Sequence, residues 1–134
     1  PILKDKYAKF LKVHHLGNPK YANALASYYA YRDGDEWLEV INAIIYDNYR
    51  FVASCLDEMG LYYSELEGTY LMFIDLEKIL NATKIEDFIA KWRISVNLGK
   101  VFGEGYETYV RLNLATHPDL IKEVMERLKS LIKE

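Results

Sequence analysis

Tyr109-Val110-Arg111-Leu112-Asn113-Leu114-Ala115-Thr116 is the stretch whose reading decides the fold of this chain. Its period is two. Val110, Leu112 and Leu114 fall on one face of a strand, and Tyr109, Arg111, Asn113 and Ala115 fall on the other. The first face is wholly aliphatic and belongs against a core. The second carries a guanidinium in mid-strand, flanked by tyrosine and alanine rather than by acids. No neighbouring carboxylate neutralises it. Such an arginine either reaches to water or faces a pocket that receives an anion from outside the chain.

Working outward, His117-Pro118-Asp119 opens a final helix with Ile121, Val124, Met125, Leu128, Leu131 and Ile132 along its buried side. Upstream, a loop carries Gly99, Gly103 and Gly105, and Ile94-Ser95-Val96-Asn97 begins another strand. Lys84–Lys91 has the pattern of a short amphipathic helix. Thr69-Tyr70-Leu71-Met72-Phe73-Ile74-Asp75 and Leu61-Tyr62-Tyr63 are strand-like, separated by a polar turn through Glu67-Gly68. Before them runs a long helix, about 36–59, with Trp37, Val40, Ile41, Ile44, Ile45, Asn48, Phe51, Val52, Cys55 and Met59 at helical spacing. Gly60 ends it, and Asp35 is placed to cap its start. Helices over 3–13 and 20–31 come first, broken by Gly17-Asn18-Pro19. The order predicts an α+β fold: one mostly antiparallel sheet with helices packed on one face, spanning residues 1–134 as a single domain.

At 134 residues, 51% hydrophobic and 28% charged, the chain has globular composition. The net charge of −3 is spread along it, so no basic patch points to nucleic acid. No apolar run approaches the ~20 residues that span a bilayer. A lone cysteine, Cys55, leaves no internal disulfide and suits a reducing cytoplasm. Tyrosine is abundant, with 12 residues, clustered at 28–31 and 62–63. Helix 20–31 has small residues at Ala22, Ala26 and Ala30 and aromatics elsewhere, a surface suited to a partner.

Several suggestive patterns carry no chemistry. The glycines of 99–105 precede a strand, not the helix N-terminus that a phosphate cradle requires. His14-His15 are adjacent, so their side chains diverge on a helix, and no third ligand sits at coordinating spacing. Cys55 has no His or Lys at helical spacing to activate it and reads as core. Ser130-Leu131-Ile132-Lys133 lies at the end of the last helix. Asp75, closing its strand, is placed to cap the next segment. Arg111 alone stands out. The ordinary reading of a strand arginine is a pair with an acid from elsewhere in the fold.

One resemblance gives Arg111 a different role. Gly34, Trp37-Leu38, Asn48, Gly68-Thr69-Tyr70-Leu71, Phe102-Gly103 and Val110-Arg111-Leu112-Asn113-Leu114-Ala115-Thr116, in that order, resemble the C-terminal part of pyridoxal-phosphate enzymes of the class I/II aminotransferase superfamily (fold type I). They are most similar to the cystathionine β-lyase or C–S lyase subgroup, which includes a maltose-regulon modulator. The likeness covers nearly the whole chain. It implies the small domain of a longer enzyme, a homodimer that releases thiol, pyruvate and ammonia. Arg111 would bind the α-carboxylate of the amino-acid substrate, Asn113 would support it from the same strand face, and Tyr70 would line the cleft. In that family the lysine that bonds the cofactor sits on a larger domain preceding this region. The chain alone is therefore expected to bind no pyridoxal 5'-phosphate, to hold no metal and to be inactive. Tyr106 and Thr108 stand where the family usually has glycines, and Leu98 where it has proline. Amino transfer is the alternative reaction. A stand-alone amino- or keto-acid-binding domain and a regulatory module using Tyr28, Tyr29 and Tyr31 are the alternatives from other classes.

Overall fold

The computed structural model describes residues 2–14, 20–80 and 84–132. Two compact units divide the chain at residues 39 and 40. The first holds helices α1 (Ile2–Val13) and α2 (Tyr21–Asp33) and the first turn of α3 (Asp35–Met59). No residue of α1 or α2 is buried. Their order is local. Arg32 pairs with Asp33 at 2.7 Å and lies over the Tyr29 ring at 4.6 Å. Gly34 joins the helices, donating to the Ala30 carbonyl at 3.0 Å and accepting from Leu38 at 2.9 Å. Asp35 is therefore the first residue inside α3 and not its cap. Gly17-Asn18-Pro19 and His15 lie outside the described residues. Among the described residues no His, Cys, Asp and Glu cluster is able to hold a metal.

The second unit, residues 40–134, contains the sheet and its core. The longer part of α3 leads into it and stops in a closed C-terminal motif. Gly60, at φ +64°, is left-handed, Leu61 donates to Leu56 and Gly60 to Asp57, each at 3.0 Å. Both bonds satisfy carbonyls that a helix end otherwise leaves open. Lys78 Nζ adds a third, at 2.6 Å to the Gly60 carbonyl. The chain then runs extended past residues 71–75, but only as an isolated bridge between Tyr63 and Ile74. Ser64 Oγ takes the Phe73 N–H at 3.0 Å. The expected strand over 61–63 therefore shrinks to a bridge, because the partner's backbone is bonded partly to a side chain.

Strand β1 (Leu71–Asp75) pairs antiparallel with β3 (Tyr109–Asn113), which pairs antiparallel with β2 (Asn97–Leu98), giving the order β1-β3-β2. Between them stand the short α4 (Glu77–Leu80) and α5 (Ile85–Trp92), and α6 (Pro118–Ile132) closes the chain. The α+β expectation holds. Strand β2 begins three residues later than the apolar run at Ile94 suggested. Asp75 closes β1 as expected, accepting from the Glu77 N–H at 3.0 Å. His117 caps α6: its Nδ1 accepts from Asp119 N–H at 3.3 Å, and Pro118 occupies the first helical position, where the lost donor costs nothing.

One face of the sheet is dry. Met72, Ile74, Val110, Leu112 and Leu114 are buried there with Val52, Cys55 and Leu56 of α3, Phe88 and Trp92 of α5, and Ile121, Met125 and Leu128 of α6. Cys55 is core, as its stripe implies. The α3 stripe is narrower than its sequence suggested. Val40 and Phe51 are exposed, while Ala53 and Leu56 are buried.

One polar side chain is buried in this core. Asn48 Nδ2 donates to the Leu114 and Thr116 carbonyls, each at 2.9 Å, which pins the end of β3 to α3. Asn48→Ala should leave the Thr116 carbonyl unpaired and the Leu114 carbonyl with only the Thr116 N–H, at 2.9 Å. A loss of ~1–3 kcal/mol is expected, the penalty for stranding a buried polar group, readable as a lower urea midpoint. An unchanged midpoint would remove Asn48 from the account.

Candidate functional site: the open face of the sheet

The other face of the sheet carries Leu71, Phe73 and Asp75 opposite Asn113, Arg111 and Tyr109. In the centre stands Arg111, with Phe73 across one ladder and Asn97 across the other. Its Nη2 donates to Asn97 Oδ1 at 3.0 Å, and its guanidinium carbon lies 4.7 Å from the centre of the Phe102 ring. Nε is buried and has no hydrogen-bond partner. Among the described residues, no carboxylate comes within ion-pairing distance of Arg111. Other cations are paired: Arg127 with Glu123, Lys129 with Glu58, Lys100 with Glu86. The ordinary explanation of a strand arginine, an acid from elsewhere in the fold, is thus not what holds Arg111.

The guanidinium is oriented by a neutral amide and an aromatic face. Neither cancels its charge. A planar fork held in this way, with a stranded N–H, suits an anion of matching geometry, and a carboxylate is one. The three strands carry no lysine, so this face offers nothing to bond a carbonyl carbon covalently. The guanidinium fork at its centre fits a carboxylate.

Close packing of the 99–109 loop sets the Phe102 ring. Gly99–Val101 forms a 3-10 turn, with Phe102 N–H bonded to the Gly99 carbonyl at 2.8 Å and Tyr109 N–H to Tyr106 at 3.1 Å. Gly99 is buried, and a Cβ there would lie 2.2 Å from the Tyr106 carbonyl oxygen and 2.7 Å from the Tyr109 Cβ. Only glycine fits. Gly99→Ala should displace the loop and cost ~1–3 kcal/mol, the usual range for overpacking. The same variant should loosen Phe102 from Arg111 and weaken carboxylate binding. Wild-type stability and binding together would refute this reading of the turn.

Beside Arg111 the loop and strands enclose a cleft of about 470 Å³ lined by Tyr62, Ser64, Phe73, Phe102, Tyr106 and Tyr109. Phe73 meets Phe102 edge-to-face at 5.2 Å and Tyr106 at 6.2 Å, and Tyr106 meets Tyr109 at 5.3 Å. Burial first, and then the charge of Asp75, push the Tyr109 phenol above its ordinary range, so it stays neutral at pH 7. Asp75 itself accepts from Thr108 Oγ1 at 2.7 Å.

The residues singled out in the sequence do not all meet. Arg111 stands at the centre. Asn113 shares its strand face, yet its Oδ1 accepts from Ala115 N–H at 2.8 Å, and the amide that holds Arg111 is that of Asn97. Tyr70 lines a separate cleft with Asn42, Ile45, Tyr46 and Glu67, and its carbonyl accepts from Leu114 at 2.8 Å. Asn97 and Phe102 are the additions. Asn97 becomes visible only once the β2–β3 register is known.

This architecture, a small antiparallel sheet with helices on one face, is that of the small domain of the aminotransferase-type pyridoxal-phosphate enzymes. Cystalysin from Treponema denticola, whose crystal structure contains a pyridoxal 5'-phosphate cofactor, superposes with a TM-score of 0.86 at 27% identity, over 99% of this chain and 35% of that one. In sequence the chain is a homologue of the cystathionine β-lyases. That of Corynebacterium glutamicum is 31% identical over 113 residues, covering 81% of this chain and 29% of the relative. Protein MalY of Escherichia coli is 28% identical over 122 residues, covering 82% and 30%. The chain thus spans about a third of the length of the curated relatives it matches. No protein-family model matches it.

Proposed function

We propose that these residues form the small, substrate-binding domain of a longer pyridoxal-phosphate-dependent carbon–sulfur β-lyase. In that enzyme Arg111 holds the α-carboxylate of the amino-acid substrate. One observation carries the reading: a guanidinium fixed by Asn97 and Phe102, without an acid partner, with Nε unsatisfied. A carboxylate seated on the outer edge of the fork supplies the acid partner that the guanidinium lacks. The cofactor, carried on a larger domain, would supply the electron sink that lets the α-proton leave and the Cβ–S bond break. This chain contributes orientation. Two parallel N–H···O bonds fix the plane of the carboxylate and therefore the direction of the Cα–H bond. Alone, the chain would bind no cofactor and catalyse nothing.

Asn113 and Tyr70 join the proposal in lesser roles. Asn113 shapes the strand end beside Arg111, and Tyr70 borders the cleft nearest Asn42. The whole enzyme would act as a homodimer. No helix among the described residues is long and apolar enough to cross a membrane, and Cys55 is a free thiol, which suits the cytoplasm.

The test uses the protein expressed from its native gene and supplied with pyridoxal 5'-phosphate. Its intact mass should be roughly three times 15.7 kDa, given the length of the relatives. It should release thiol, pyruvate and ammonia from a cysteine conjugate. Amino transfer to an oxo acid without thiol release would move the reading to an aminotransferase, which needs the same arginine. A native mass of 15.7 kDa would contradict the enzyme reading and leave a stand-alone carboxylate-binding domain.

A further inference from the structure

We infer that the aromatic cleft beside Arg111 receives the substrate's side chain and selects one that is aromatic or otherwise large and uncharged, with Tyr106 as a specificity-determining residue. The inference rests on the reading of Arg111 as the carboxylate site. Phe102 links the two: one ring lies under the guanidinium at 4.7 Å and also borders the cleft, meeting Phe73 at 5.2 Å. A ligand held by its carboxylate on Arg111 therefore has the mouth of the cleft within reach of its side chain.

The lining decides what that side chain is. Phe73, Phe102, Tyr106 and Tyr109 form a chain of edge-to-face rings. Such an array presents both ring faces and ring edges to a further aromatic group. Phe102 and Tyr106 each keep 43% of their surface exposed, so apolar area remains for a ligand to cover. None of the six lining residues carries a charge at neutral pH. Ser64 Oγ is already engaged with the Phe73 N–H, and burial keeps Tyr109 protonated. A side chain ending in a carboxylate would be desolvated there beside the charge of Asp75, and one ending in an ammonium would be desolvated among aromatic rings with Asp75 already engaged by Thr108 and Glu77; both are unfavourable. About 470 Å³ lies within the range of small-molecule sites and holds a phenyl or benzylthio group. Tyr106 is the residue to change. It projects from the loop against both Phe73 and Tyr109, and it stands where the resembling family usually has glycine.

Equilibrium binding to the protein from its native gene separates the possibilities without requiring turnover. The probes are 3-phenylpropanoate and propanoate, which share a carboxylate and differ by a phenyl group. Wild-type protein should bind 3-phenylpropanoate at least ~10-fold tighter, as expected for covering apolar ring surface. Tyr106→Ala should bring that ratio close to one while leaving propanoate within about twofold, a selective loss that general damage would not produce. Arg111→Ala should weaken both probes together. If wild-type shows no preference, or Tyr106→Ala lowers both probes equally, the specificity inference fails while the carboxylate reading stands. If Arg111→Ala changes neither probe, the carboxylate reading itself fails.

Discussion

Arg111→Ala is expected to lower kcat/KM for the amino-acid substrate by roughly 100- to 1,000-fold, the scale of ~3–4 kcal/mol for truncating one partner of a desolvated charge pair. The loss should fall on substrate anchoring and orientation together, because the fork fixes both affinity and the plane of the carboxylate. Arg111→Lys restores the charge but not the planar fork, so about a tenth of the lost activity should return. Stability should respond quite differently. In the free protein the guanidinium has no acid partner and its Nε–H is stranded. Removing it relieves an unsatisfied donor on one side, and on the other forfeits the stacking on Phe102 and the exposed bond to Asn97. The two changes oppose each other, and the unfolding midpoint should stay within about 1 kcal/mol of wild type. Functional collapse with intact stability marks a ligand-binding residue. Lost stability with retained activity would mark a structural one and overturn the assignment.

Trp92→Ala should be the most damaging change to the fold. Trp92 is fully buried at the end of α5, its ring 6.3 Å from that of Phe88, and its Nε1–H reaches the Val124 carbonyl of α6 at 2.9 Å. Truncation empties the space between α5 and α6 and removes that bond, while the Val124 carbonyl keeps its partner within α6. The cavity alone costs ~3–5 kcal/mol, and the lost hydrogen bond adds ~1 kcal/mol. Thermal unfolding should then drop on the order of 10–20 °C. Trp92→Phe fills most of the cavity and loses the hydrogen bond, so it should recover more than half of the deficit. Equal damage from both variants would mean that the hydrogen bond, and not the packing, holds these helices together.

The strand expected over 107–114, observed as Tyr109–Asn113, was legible because its alternation is complete: Val110, Leu112 and Leu114 are buried and their neighbours are not. Helix limits fell within about two residues of the observed ones, since Gly34, Gly60 and Pro118 punctuate the chain. Position across the sheet was not legible. The partner of Arg111 is set by the pairing of Asn97 with Arg111 between β2 and β3, and nothing within either strand announces that register. Asn113, on the arginine's own strand face, was the natural candidate and turned out to bond its own turn. Long helices mislead in another way. The apolar residues of α3 cover more than one face, so periodicity alone did not separate the exposed Val40 and Phe51 from the buried Ala53 and Leu56. Small residues such as Ala53 carry little hydrophobic signal even where they pack closely. The aromatic wall around Phe102 and Tyr106 was invisible for a similar reason: a loop rich in glycine reads as a turn, and what its side chains meet depends on the close approach that Gly99 permits.

The most direct test monitors the Arg111 Nε–H, the buried side-chain donor without a partner among the described residues. Side-chain N–H resonances of nitrogen-15-labelled arginine would be recorded for the native protein, with the Arg111 signal assigned by its loss in Arg111→Lys. An amino acid or its carboxylate analogue would then be titrated in. The account predicts that the Arg111 Nε–H resonance moves saturably as a carboxylate seats on its guanidinium, while the paired Arg32 and Arg127 stay in place. An Arg111 resonance that remains unmoved at ligand saturation would contradict it.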